Sequence, residues 1–416
     1  MNKIKNIKLD CKFFNLLFAT IFSVFFYFTF LSAYLDGLVL YTLFLLWLLT
    51  TLFIDYNWLR KYKKIFFLIF FYILIIFIEG AISKSTEIIE VFLKSHIYSF
   101  VFMIMGLFYI HNFKKFNFKF FIKVIFFALL ISYLATFIGL FKYPTASRDL
   151  ASGLNPLCPM FKKIGIGGFA FIYQTPYLII LLFFAIHKNM KVSKVLMLVL
   201  FVMLLFITIV KSDYTTALIM VAAAILLSLY FIGNKSFKSK LLGMVIVLFI
   251  LFIFRIQLLE FVLNKILKDQ ESVIWIRLNE LLTSLSEDLG DFNRIALMEK
   301  SLAAFFQNPW MGEFGQIPKN VGGHSDLIDI FGKYGLFIGV AYQLIFFLIA
   351  KAQYNKLLTE KARKYYLLIQ LIFIVGRATN DLLGAQNICG VVFFIAPIVL
   401  KHIEESFYNQ EWNISW

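Results

Sequence analysis

The sequence predicts an all-α integral membrane protein with about twelve transmembrane helices. Two observations predict this class. Hydrophobic residues make up 61% of the chain and charged residues only 15%. The apolar residues also form repeated stretches, and about 20 of them in a row are needed for a helix to cross the hydrocarbon layer. We therefore expect residues 1–416 to form a single polytopic membrane domain.

Short basic or acidic clusters separate the predicted spans. The first stretch is too long for a removable signal peptide and lacks a small-residue cleavage site, so we expect it to be retained as a span. The last three ranges are weaker than the others. The predicted spans are 13–35, 38–54, 65–78, 92–110, 120–140, 164–186, 195–210, 215–232, 241–258, 328–350, 365–383 and 385–400.

The distribution of lysine predicts which loops of the bundle are cytoplasmic, because Lys and Arg accumulate in cytoplasmic loops. Alternate loops carry the lysine clusters, namely 3–12, 60–64, 114–123, 188–194, 235–240 and 351–364. Both termini are therefore expected to be cytoplasmic, and the long segments 142–163 and 259–334 are expected to face outward. The net charge of +16 is mostly this topological signal. It does not indicate a nucleic-acid partner, which would require a basic solvated face.

Arginine is distributed differently from lysine. Only Arg60 and Arg363 lie on the lysine-rich side. Guanidinium groups suit bidentate recognition of phosphate or carboxylate, so outward arginines would serve an anionic substrate. Alternatively, they extend to lipid headgroups or pair with acidic residues of the same loop. The arginines on or near the outer side are Arg148, Arg255, Arg277, Arg294 and Arg377.

The sequence of the long outer loop, 259–334, predicts a helix, a turn and a second helix. Apolar residues recur at helical spacing, which predicts an amphipathic helix on the outer surface of the bundle. These residues are Ile295, Met298, Leu302, Phe305 and Phe306. Asn308 and Pro309 should end this helix, and the glycines that follow should permit a tight return to a second helix that begins near His324. His324 is thus a candidate proton acceptor at a helix start.

Three polar residues follow His324 and permit other interpretations. Ser325, Asp326 and Asp329 suit capping and stabilisation of the first turn. A divalent metal site between His324 and the two carboxylates is an alternative, but no metal-binding motif supports it. The cysteines are widely spaced and predict neither a disulfide framework nor a zinc site. We therefore expect no metal and no cofactor.

These residues resemble a known family. Arg294, the segment 308–312, the Gly-Gly-His-Ser segment 322–325 and the segment 335–339 are similar to the signature in the large periplasmic loop of O-antigen polymerases (Wzy type) and the related O-antigen ligases. The resemblance covers the topology of the whole chain, but its motif residues lie only between Arg294 and Gly339. The spacing of the Gly-Gly-His-Ser segment is closer to the polymerases.

The resemblance implies a GT-C-like membrane glycosyltransferase of the bacterial inner membrane. Such an enzyme transfers an oligosaccharide from undecaprenyl diphosphate to a sugar hydroxyl at the periplasmic face, with inversion and without a metal. Its implied partners include a chain-length regulator and a flippase. A diphosphate is a good leaving group, so the protein must mainly stabilise its charge and remove one proton. Arg294 would do the first and His324 the second.

The chain departs from the family in one outer turn. Ligases and many polymerases place an arginine where this chain has Lys211. Lys211 or Arg148 would then supply the second phosphate contact, and Arg277 and Arg377 are further candidates. Arg377 and Asp381 are four residues apart, which predicts either a structural ion pair or a phosphate site in which Asp381 orients Arg377.

Two alternative functions remain at this stage. An O-antigen ligase would differ only in its acceptor, which is lipid A core. A flippase for the same lipid-linked oligosaccharides belongs to another class, with similar length and span number. Transporters commonly show related halves around a central cavity. This chain instead has its largest polar segment in one outer loop, 259–334, which favours an enzyme.

Overall fold

Helices form because the bilayer offers no water to the backbone, so each span must satisfy its own hydrogen bonds. The computed structural model describes residues 2–34, 37–91, 96–187, 192–212, 214–232, 294–316, 321–382 and 384–413. Helices and turns make up these residues, and no strand occurs among them. The helices are α1 Asn2–Tyr27, α2 Gly37–Ile54, α3 Asn57–Lys61, α4 Lys63–Ile82, α5 Thr86–Val91, α6 Ile97–His111, α7 Lys119–Lys142, α8 Ala146–Ser152, α9 Cys158–Lys163, α10 Phe169–Tyr173, α11 Thr175–His187, α12 Val192–Lys211, α13 Thr215–Ile232, α14 Arg294–Gln307, α15 Asp326–Tyr354, α16 Glu360–Thr379, α17 Gln386–Gly390 and α18 Ala396–Asn413.

Several of these helices can cross a membrane. In the described residues, seven are long and apolar enough by length and composition. Three shorter apolar helices accompany them, and α16 coincides with most of the weaker span expected at 365–383. The all-α membrane class is therefore confirmed, while the expected span 241–258 lies outside the described residues. The seven are Asp10–Tyr27, Gly37–Ile54, Lys63–Ile82, Lys119–Lys142, Phe169–His187, Asp326–Tyr354 and Gln386–Ser406.

The first span is shorter than the predicted range 13–35. α1 ends at Tyr27, and a 3₁₀ helix, Thr29–Tyr34, follows it. The backbone N–H of Thr29 donates to Ser132 Oγ at 3.0 Å, and Thr29 Oγ1 donates to the carbonyl of Gly165 at 2.6 Å. Because these partners belong to other elements, they draw the chain out of the α-helix.

Two further spans differ from their predicted limits. The range 164–186 does not begin as a helix, because Gly165 has a φ of +81° and the chain runs irregularly to α10. The range 365–383 ends early, because Asn380 is extended, with φ −151° and ψ 158°. α16 therefore stops at Thr379. This early end determines where Asp381 lies.

One end of the bundle gathers the basic connections 55–62, 112–118 and 355–359, which we call the basic end. Lys115 Nζ lies 3.2 Å from Asp55 Oδ2. The Glu404 carboxylate accepts hydrogen bonds from the backbone N–H groups of Leu358 at 3.0 Å and Thr359 at 2.7 Å. Connections that are far apart in sequence are thus joined at this end.

The described connections 28–34, 143–168, 380–382 and 384–385 meet at the opposite end, which we call the outer end. Asn387 Nδ2 donates to the carbonyl of Phe26 at 3.0 Å, and Ser147 Oγ donates to the carbonyl of Gly167 at 2.6 Å. The two sets of loops that the lysine pattern separates therefore lie at opposite ends of the bundle.

A column of buried aromatic rings fills the bundle between the two ends. Phe26 lies 5.2 Å from Phe102 between ring centroids, and Phe102 lies 6.0 Å from Phe394. Phe394 lies 5.8 Å from Tyr109, which lies 5.6 Å from Phe118 at the basic end. Each of these side chains is buried. Close-packed rings leave no continuous passage along this column.

Candidate functional site

The loop after α14 follows the predicted pattern. α14 ends at Gln307, directly before Asn308 and Pro309. The chain then turns back through Gly312 and Gly315, which have φ values of +58° and +76°. Such left-handed conformations are strained for residues with a side chain. The predicted amphipathic helix and glycine turn are therefore confirmed.

Backbone contacts fix this loop against α15. The carbonyl of Pro309 accepts a hydrogen bond from the N–H of Leu336 at 2.7 Å, and the carbonyl of Gly332 accepts one from Glu313 at 2.9 Å. Both contacts require the kink in α15 at Gly335, where φ is +71° and ψ −170°. The glycines that carry the family resemblance thus hold the loop on the outer end of the bundle.

The start of α15 confirms the capping interpretation for two of the polar residues. Ser325 Oγ accepts a hydrogen bond from the N–H of Ile328 at 3.3 Å. The Asp329 carboxylate accepts from the N–H of Ser325 at 2.9 Å and from Ser301 Oγ of α14 at 2.5 Å. These bonds join α14 to the first turn of α15.

His324 lies immediately before this cap, and its side chain is exposed. It does not line either of the two cavities described below. Arg294 is the first residue of α14. Arg277 lies outside the described residues. The catalytic roles of His324 and Arg294, and the binding role of Arg277, therefore remain predictions.

Arg377 forms a buried ion pair with the first residue of α15. Its Nε lies 2.6 Å from Asp326 Oδ2, and the side chains are 3% and 6% exposed. Asp326 Oδ1 accepts a hydrogen bond from the Tyr342 hydroxyl at 2.6 Å. The guanidinium carbon lies 3.9 Å from the ring centre of Phe346. The charge is thus held between a carboxylate and an aromatic face.

The predicted pairing of Arg377 with Asp381 is wrong. A spacing of four residues brings side chains together only while the helix continues, and α16 ends at Thr379. Arg377 lines neither cavity, so the structure does not bring it to a substrate site there. Asp381 lies beyond the end of α16 and lines the two cavities described below.

A cavity of about 930 Å³ opens at the outer end. Phe25, Phe26, Tyr41 and Tyr98 line one part of it, and Phe169 and Phe171 line another. Pockets that bind small molecules commonly measure about 300–1,000 Å³, with apolar walls and a few polar groups. The polar side chains here include Glu90, Lys162, Asp381, Gln386 and Asn387.

A second, polar cavity of about 50 Å³ lies beneath the loop. His96, Lys333 and three carboxylates, Asp326, Asp329 and Asp381, are among its lining residues. Asp381 lines both cavities. The small cavity is therefore lined by the first turns of α15 and by a carboxylate that the large cavity shares.

Burial shifts the pKa values of two groups that line the small cavity. Burial raises the pKa of Asp381, and the nearby Asp326 carboxylate raises it further, although the Asp381 side chain is exposed toward the cavities. Burial lowers the pKa of His96, which precedes α6, to about 4. His96 is therefore neutral at pH 7, and Asp381 is a more basic carboxylate than a solvated one.

The predicted cationic residues lie at different places on the outer end. Arg148 is exposed on α8, whose Leu150 and Ala151 line the large cavity. Lys211 ends α12, with Nζ 5.0 Å from the ring centre of Phe141, which is 60% exposed on the outside of the bundle. The structure thus brings the helix of Arg148 to the cavity but not Lys211.

Lys162 is a cavity residue that the sequence pattern did not predict. This residue lines the large cavity from α9. The signal was present, because Lys142, Lys162 and Lys163 lie in or beside the connection 143–168 at the outer end and so depart from the accumulation of lysine at the basic end. A lysine retained against that pattern is a candidate for binding an anion.

Comparisons with known proteins assign no family. No family model matches the chain, and no curated protein is significantly similar to it. A function therefore has to be argued from the residues of this chain.

Proposed function

We propose that this chain is a GT-C-like membrane glycosyltransferase with about twelve transmembrane helices. It resides in the bacterial inner membrane, with both termini cytoplasmic and its site at the periplasmic face. It acts as an O-antigen or capsule repeat-unit polymerase. It transfers an oligosaccharide from undecaprenyl diphosphate to the non-reducing-end sugar of another lipid-linked unit, with inversion and without a metal.

The observation that carries the proposal is the large cavity at the outer end. Its aromatic walls offer faces for sugar rings, and its amide, carboxylate and ammonium groups offer hydrogen bonds to hydroxyl groups. The folded loop 308–316 with its glycine turns lies at the same end. A site of this chemistry suits an oligosaccharide whose lipid remains in the membrane.

Cations near the cavity suit the leaving group. Lys162 lines the cavity and Arg148 lies on the adjoining α8, so both are candidates to stabilise the departing diphosphate. Arg294 and His324 belong to the same outer loop as the motif residues. In this proposal, Arg294 stabilises negative charge and His324 is the candidate base from the family resemblance.

The aromatic column favours transfer over transport. A flippase needs a route for the polar sugars between the two ends. Buried rings from Phe26 to Phe118 instead fill the described bundle below the cavity. A cavity that is closed on its inner side by packed rings suits an enzyme that binds both substrates from the outer end.

The direct test uses the native strain with the gene deleted. We expect Arg294→Ala and His324→Ala to abolish chain extension, because transition-state charge and proton removal are lost, while both variants still insert in the membrane. Arg60→Ala and His402→Ala at the basic end are matched controls that should restore full ladders. The measurement is the gel pattern of surface polysaccharide, with variant abundance determined by immunoblot.

The gel also separates the alternatives. Lipid A core that carries a single repeat unit in the variants indicates a polymerase. Lipid A core without any repeat unit, together with accumulated lipid-linked polymer, indicates a ligase. Accumulation of single lipid-linked units on the cytoplasmic side indicates a flippase. Full ladders from both Arg294→Ala and His324→Ala would reject their assigned roles.

A further inference from the structure

We propose that Asp381 is the catalytic base and that the large outer cavity is the acceptor-sugar site. This inference rests on the proposed function, since it assigns a residue to that reaction. Under this inference Asp381, and not His324, accepts the proton, while the substrates are unchanged. The two assignments are separated by His324→Ala, which should keep chain extension if Asp381 is the base and lose it if His324 is.

The position of Asp381 is set by the backbone on both sides of it. Asn380 donates its N–H to the carbonyl of Gly376 at 2.9 Å and accepts a hydrogen bond from the N–H of Asp326 at 3.4 Å. Ala385 donates to the carbonyl of Leu382 at 3.0 Å, and the Leu382 side chain is fully buried. A base must be held in place to act on one hydroxyl, and this connection holds Asp381 at the cavity wall.

The other two carboxylates of the small cavity already have partners. Both oxygens of Asp326 are bonded, one to Arg377 and one to Tyr342. Both oxygens of Asp329 are bonded, one to Ser301 and one to the backbone of Ser325. Among the described residues, Asp381 instead has only a backbone hydrogen bond from Gly384 and the nearby Lys333 cation as favourable interactions, and its exposed side chain lines the large cavity.

The surroundings of Asp381 make it a suitable base. Desolvation has the largest effect on the pKa of Asp381 and raises it. A higher pKa gives the carboxylate a higher affinity for the proton in the transition state. His324 lines neither cavity, so an acceptor bound in the large cavity would lie nearer to Asp381 than to His324.

The step balances without any other reactant. The acceptor hydroxyl oxygen attacks the anomeric carbon of the donor sugar and forms the new C–O bond. The bond between that carbon and the diphosphate oxygen breaks, and the diphosphate leaves with the electron pair. The hydroxyl proton passes to Asp381 Oδ. Lys162, on the wall of the same cavity, stabilises the leaving charge.

The test uses the purified full chain in lipid vesicles with a synthetic undecaprenyl-diphosphate-linked oligosaccharide as donor and acceptor. We expect Asp381→Asn to lower the rate of chain extension by ~10²- to 10⁴-fold, the usual contribution of a general base. Asp381→Glu should retain part of the activity. Asp10→Asn, an exposed carboxylate on α1, is the matched control and should be as active as the unmodified chain.

Chemical rescue separates a base from a structural residue. Asp381→Ala should regain activity when formate is added, because a small carboxylate can occupy the vacated position. Rescue supports the assignment even if Asp381→Asn is poorly folded. Activity of Asp381→Asn within threefold of the unmodified chain, or loss of activity in Asp381→Ala that formate does not restore, would overturn it. Absence of product from the unmodified chain would instead reject the proposed function.

Discussion

Arg377→Met is expected to lower the free energy of unfolding by about 3–5 kcal/mol, the usual result of removing one partner from a buried ion pair. The variant leaves the Asp326 carboxylate, 6% exposed, without its cation. Met fills much of the space beside Phe346. The lost free energy of unfolding therefore reflects the missing charge pair and not a new cavity. The measurement is the unfolding midpoint of the purified protein in detergent.

Two controls make this prediction specific. Lys364→Met breaks an exposed ion pair with Glu360 on the same α16, where N and O are 2.7 Å apart, and should change the midpoint little. Asp326→Asn combined with Arg377→Met removes the unpaired charge and keeps an acceptor for Tyr342, so most of the lost stability should return. Equal midpoints for Arg377→Met and Lys364→Met would contradict the buried pair.

Gly335→Ala is the second large effect that we expect. A side chain at φ +71° and ψ −170°, a region that essentially only glycine populates, costs about 1–3 kcal/mol in any surroundings. At Gly335 an added methyl group would also overlap the carbonyl of Trp310, and relief of such overpacking costs about 1–3 kcal/mol more. The loop 308–316 should therefore separate from α15, which limited proteolysis of the loop would detect.

Gly323 supplies the matched control. It has the same φ of +71°, but an added methyl group there would meet nothing within 4 Å. Gly323→Ala should therefore show only the conformational cost and keep the loop protected from protease. If the two alanine variants were equally protected and equally stable, the close contact between the loop and the kink in α15 would be wrong.

The sequence predicted those features that depend on local pattern. Apolar runs identified the membrane class, and the lysine clusters separated the loops into the two ends that the structure shows. Gln307, Asn308 and Pro309 marked the end of α14, because proline restricts the residue before it. Each of these features is decided by residues within one segment.

Features that depend on distant partners were not predictable in this way. The pairing of Arg377 with Asp326 joins residues far apart in sequence, and the helical spacing to Asp381 was misleading because α16 ends at Thr379. The large cavity takes its walls from several elements, from Phe25 on α1 to Asn387 on α17. No periodicity in one segment could indicate that these residues meet.

The sequence identified the end of the molecule that holds the site but not all of its residues. Arg148 was named, and its helix does border the cavity. Lys162 was overlooked, although its position against the lysine pattern could have indicated it. Asp381 was assigned to support Arg377, although in the structure it lines two cavities.

The central claim is that this chain alone extends a lipid-linked saccharide at its outer end. The purified protein in vesicles, supplied with a synthetic undecaprenyl-diphosphate-linked oligosaccharide and a metal chelator, tests it most directly. Mass spectrometry of the lipid extract should show products that increase by whole repeat units, with free undecaprenyl diphosphate in equal amount to the bonds formed. Unchanged substrate that has moved across the vesicle membrane would contradict the claim and indicate a transporter.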